Sequence, residues 1–171
     1  MNPLTESTLR HLQQVQLERD LRAADAALSE RVIWVTRYQQ ARFERTYADL
    51  LSHPRYGGAA RFFLNDLYGP GDFSLRDAQF ARIVPSLARL FPQEIARTVD
   101  ALASLHALSE RLDSEMARHV GAGPLDATGY IAAWQRTGHP EDRERQVDLM
   151  LKVGRALDIY TRHPWLRHTL R

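Results

Sequence analysis

The sequence predicts an all-α fold, a single-domain helical bundle of six to eight helices with a long N-terminal helix or helix pair. Three observations predict it. No glycine or proline occurs between Leu4 and Ser52. Apolar residues recur at spacings of three and four, and nothing reads convincingly as the alternation of a strand. Beyond Ser52, glycine and proline cut the chain into pieces of helical length.

Pro3 is placed to open the first helix, because a first-turn residue needs no backbone N–H. The run to Ser52 is either one helix of about 75 Å at 1.5 Å per residue, or two broken near Ser29. Leu17, Leu21, Ala24 and Leu28 form a short heptad-like seam, so residues 1–28 read as a possible protruding arm or partner surface. A short helix follows from about Arg55 to Tyr68. The next, Leu75 to Leu90, carries Pro85, which is expected to kink or split it. Pro92 fits the first turn of a long helix to about Val120, and Gly121 to Pro124 is a loop. A helix over Asp126–Thr137 is followed by a last one from Pro140 to about Thr161, with Glu141 and Asp142 at its positive end. Pro164 ends it, and residues 162–171 form a basic tail. The whole, 1–171, reads as one helical domain.

Composition narrows the function classes. At 171 residues, 44% hydrophobic and 26% charged, the chain is an ordinary globular one. It has no cysteine, which excludes disulfides, thiolate nucleophiles and zinc–thiolate sites. No apolar run approaches the ~18 residues of a membrane span, so no membrane partner is expected. The start Met-Asn-Pro-Leu-Thr-Glu has no signal-peptide pattern, and the expected location is cytoplasmic. Net charge is +2, too small to argue for nucleic acid, and no nucleic-acid-binding motif supports it.

Two groups of residues invite a functional reading. Val32, Val35, Gln39, Phe43, Tyr47 and Leu50 form the core stripe of the helix beginning near Arg31. Arg31, Trp34, Tyr38, Arg42 and Arg45 lie about 140° away. Aromatics interleaved with arginines suit a protein partner's hot spot, or a helix buried on two sides with arginines stacked on its rings. The second group lies on the long helix that follows Pro92. Ile95, Val99, Leu102, Leu105, Leu112, Met116 and Val120 are its apolar face, and His106, Ser109 and Asp113 fall on or beside it. Buried polar groups require partners. His106 and Asp113, with aromatic walls from Phe63 and Phe73, would suit a ligand pocket. His106 and Glu110 have the spacing that one ion could bridge, and His106 alone could serve a haem. The structural alternative is a core histidine bonded to a carboxylate from another helix, such as Asp158, which borders the stripe Val147, Met150, Leu151, Gly154 and Leu157. No metal-ligand spacing, catalytic triad, Walker loop or dinucleotide fingerprint accompanies these residues, so no catalytic residue, metal ligand or cofactor is assigned.

The most specific stretch is Phe62-Phe-Leu-Asn-Asp-Leu-Tyr-Gly-Pro-Gly-Asp-Phe-Ser-Leu-Arg-Asp77. It holds a helix stop at Gly69-Pro70 and a helix start at Ser74, and it fixes a corner. This block resembles one found in a set of uncharacterised bacterial proteins, with the pattern FFL-x-DLYGP-x-DFS-x-RD. Leu105–Asp113 and Val153–Asp158 are similar too, so the likeness covers roughly residues 60 to 165. The resemblance implies an all-helical bacterial protein and brings no activity, cofactor or site residue. The expected function is therefore a protein–protein interaction or regulatory module, a homodimer or bound to an unidentified protein. The alternative is a small-molecule, metal or haem site around His106.

Overall fold

The computed structural model describes residues 2–62, 64, 65, 68, 71, 73–90, 92–121 and 123–162, without the side chains of 59, 62, 87–90 and 160–162. The fold is all-α. Its helices are α1 (Pro3–Ala23), α2 (Ala26–Thr46), α3 (Ala48–Ser52), α4 (Gly57–Phe62), α5 (Ser74–Leu90), α6 (Gln93–Arg118), α7 (Ala127–Gln135) and α8 (Pro140–Arg162).

The run to Ser52 is two long helices, α1 and α2, followed after Tyr47 by the short α3, and the first break lies at Ala24–Asp25 rather than near Ser29. Asp25 has extended backbone angles, and its side chain accepts from the Leu28 backbone N–H at 3.0 Å. That satisfies one orphan donor at the start of α2. Ser29 reinforces the break by donating its hydroxyl to the Arg22 carbonyl at 2.8 Å. Pro85 does not split α5, which runs unbroken through it. The buried Val84 beside it ties that turn to the core despite the missing N–H. Pro164 and the basic tail lie outside the described residues.

The chain resolves into two compact units. The first takes the described residues within 1–17, 77–111 and 138–171, and the second those within 18–76 and 112–137. In the first, Val15, Val84, Ala101, Leu105, Leu108 and Val153 are buried. Thr5 and Thr8 are buried with them, and Thr8 contacts Asp100 at 3.2 Å. The segment expected as an arm therefore has one packed side in its first half.

The core of the second unit joins Leu28, Val32 and Val35 of α2 to Met116, Ala117 and Val120 of α6, and to Tyr130 and Ala133 of α7. Leu28 belongs to this core, so the seam begun by the exposed Leu17 and Leu21 does not continue into α2. The first residue of α4 is a glycine for a steric reason. A Cβ at Gly57 would run into the Leu51 carbonyl oxygen.

Candidate functional site

Helix α6 carries both polar residues singled out by the sequence, and they enter two different networks. His106 belongs to the first unit and Asp113 to the second. His106 Nε2 lies 3.0 Å from Asp77 Oδ2, and its Nδ1 lies 3.9 Å from Glu110 Oε1. The expected carboxylate from another helix is thus present, but it comes from Asp77 in α5 and not from Asp158. All three groups are largely covered, at 20%, 13% and 15% side-chain exposure. The imidazole sits between two carboxylates. Its two ring nitrogens diverge, so Asp77, His106 and Glu110 do not converge on one point. Among the described residues no group of three or more His, Asp or Glu is placed to hold a metal ion.

Asp113 is buried in the second unit. Gln39 Nε2 donates to its Oδ1 at 3.3 Å, and the Tyr68 hydroxyl lies 3.1 Å from its Oδ2. The same hydroxyl contacts Gln39 Oε1, so its single hydrogen is shared between two acceptors. Next along α2, Gln40 Nε2 reaches the Leu64 carbonyl and Asn65 Oδ1, both at 3.4 Å, and Leu64 is buried. Leu64, Asn65 and Tyr68 are thereby fastened to α2, and Tyr68 to α6 as well. Phe63, expected as a pocket wall, lies outside the described residues. Phe73 is half-buried beneath the Arg76 guanidinium, 4.3 Å from its ring centroid.

The arginine–aromatic stripe of α2 divides. Trp34 and Tyr38 are half-buried against the core cluster of the second unit. Tyr38 stacks on Tyr130 with centroids 4.5 Å apart, and the Arg42 guanidinium lies 5.5 Å from the Tyr130 centroid. Arg31 is half-buried, while Arg42 and Arg45 are exposed. The aromatics thus pack against the core of the second unit, Tyr38 on α7, and Arg42 and Arg45 carry the outer edge.

Among the described residues, α8 carries more exposed large hydrophobic side chains than any other helix. This helix has two apolar stripes, and the narrower one is packed: Val153 is buried, with Leu149 and Ala156 half-buried. Polar contacts hold the same side to α6. Arg111 pairs with Asp142 at 2.7 Å, Gln146 Nε2 donates to Ser109 Oγ at 3.0 Å, and Arg145 Nη2 to Ser104 Oγ at 3.3 Å. The Arg111 hydrogen bond, aided by its charge and by the His139 backbone, outweighs burial and holds the Asp142 carboxyl below the usual carboxylate range. With that side engaged, Val147, Met150, Leu151 and Leu157 are 45–52% exposed, and Gly154 is exposed among them. The sequence marks this stripe but not that it faces outward. The competing spacing Leu149, Val153, Ala156 was the available signal.

A family model described as Domain of unknown function (DUF8198) matches residues 18–171. The chain belongs to this family. No curated protein matches it, and no solved structure does. As a DUF8198 chain it inherits no activity from the family description, and its functional reading rests on its own surfaces.

Proposed function

We propose that this DUF8198 chain acts by binding rather than by catalysis, as a cytoplasmic protein-interaction module that forms a homo-oligomer. The observation that carries the reading is the outward apolar stripe of α8. Contiguous exposed apolar surface of this kind marks interaction sites in proteins that otherwise cover it. The α2 stripe supports association less, because Trp34 and Tyr38 are engaged with Tyr130 and the surrounding core. A ligand or haem site at His106 has less support still, since Nε2 is engaged with Asp77 at 3.0 Å and the Glu110 carboxylate lies 3.9 Å from Nδ1. No helix among the described residues is long and apolar enough to cross a membrane.

Sedimentation equilibrium on wild type and Leu151→Glu tests this reading. A wild-type mass that rises with concentration, and a monomeric variant of unchanged helicity, are expected. A wild type that stays monomeric at every concentration overturns it.

A further inference from the structure

Building on that reading, we infer that the occupant of the α8 stripe is the α8 stripe of a second copy, packed antiparallel. The pattern along the helix is self-complementary. When two copies run in opposite directions about the middle of the stripe, Val147 of one faces Leu157 of the other. Met150 then faces Gly154. Nothing lies within 4 Å of where a Gly154 side chain would begin, so each glycine offers a recess and each Met150 a flexible side chain to fill it. Leu151 falls beside the two-fold axis and meets its own equivalent, as an isologous contact requires.

Charge selects the same direction. Along the edge of the stripe, Asp148 stands one turn before the middle and Arg155 one turn after it, both exposed. Antiparallel packing sets each Asp148 beside the second copy's Arg155. Parallel packing would instead put the two copies of that edge on opposite sides of the seam and leave Asp148 and Arg155 unmatched across it. The wider sequence agrees. Glu141, Asp142, Glu144 and Asp148 outnumber Arg143 and Arg145 in the first half of α8, and Lys152, Arg155 and Arg162 outnumber Asp158 in the second. A single-helix contact is smaller than the ~800 Å² per partner of a standard stable interface, so the pairing is reversible and depends on concentration.

The chain has no cysteine, so every thiol in the test is an introduced one. Leu151→Cys is expected to form a disulfide-linked dimer under mild oxidation. Val147→Cys alone is not, because its two copies lie roughly 15 Å apart along the axis, beyond the ~7 Å Cα separation a disulfide spans. Mixed Val147→Cys and Leu157→Cys chains are expected to cross-link to each other. As a second readout, Arg155→Asp is expected to raise the dissociation constant about tenfold, and Asp148→Arg in the same chain to restore it. Self-cross-linking by Val147→Cys would overturn the antiparallel arrangement. A chain that dimerises without a Leu151→Cys cross-link, or without response to the charge exchange, would overturn the α8 pairing while leaving homo-oligomerisation standing. A wild type that never dimerises would overturn both.

Discussion

The Tyr68 hydroxyl lies 3.1 Å from the buried carboxylate of Asp113, forty-five residues further along the chain. This contact fastens Tyr68 to α6, and Gln39 joins both groups from α2. Tyr68→Phe keeps the ring and removes one hydrogen bond to a buried charged group. Its expected cost is about 1.5–3 kcal/mol, read as a lower urea midpoint at unchanged slope. A midpoint equal to wild type would show that the contact contributes nothing to holding the corner.

Tyr38 is a structural residue in this account. It stacks on Tyr130 and packs against the α2–α6–α7 core. Tyr38→Ala is expected to destabilise by about 2–4 kcal/mol, between a partial and a full aromatic truncation, with the dimer dissociation constant unchanged. Trp34→Ala should act in the same direction. If the double variant stayed as stable as wild type but became monomeric, the contact surface would belong to α2 instead of α8.

His106 links α5 to α6 through Asp77, with Glu110 on its other nitrogen. His106→Leu leaves two largely covered carboxylates without the ring between them, at an expected cost of about 1–3 kcal/mol. Thermal unfolding measures it. Loss of a bound small molecule at unchanged stability would instead establish the ligand reading.

Asp142 carries a pH signature. Its carboxyl is held below the ordinary range in the folded chain by Arg111. Above the unfolded value of about 3.9 both states are ionised and the pair's contribution is fully present. As pH falls toward the folded value, the unfolded chain takes up the proton first and that contribution is lost. A partly exposed pair of this kind is worth about 0.2–1 kcal/mol. Arg111→Gln should therefore narrow the stability difference between pH 7 and pH 3 by up to that amount, measured by urea unfolding at both values.

The helix-forming pattern, the Pro92 and Pro140 starts and the helix start at Ser74 were legible in the sequence, because local backbone chemistry decides them. The break in the N-terminal run was readable in principle. Asp25 three residues before Leu28 is a capping signal, although no glycine or proline announces it. What periodicity could not decide was which of two stripes each helix buries. On α8, Asp142, Arg145 and Gln146 find partners on α6, and those long-range contacts turn the wider stripe outward. On α2, Tyr130 provides a second packing surface that no local pattern encodes. His106 and Asp113 share one face of α6 in sequence, yet their partners come from α5 in one case and from α2 and the corner in the other.

The most direct test of binding through α8 is native mass spectrometry of the chain purified without added cofactor, over a range of concentrations, for wild type and Leu151→Glu. A wild-type dimer of bare chain mass that grows with concentration and is absent from the variant is expected. A monomer at every concentration, or extra mass that survives gentle ionisation and disappears on denaturation without any dimer, would contradict it.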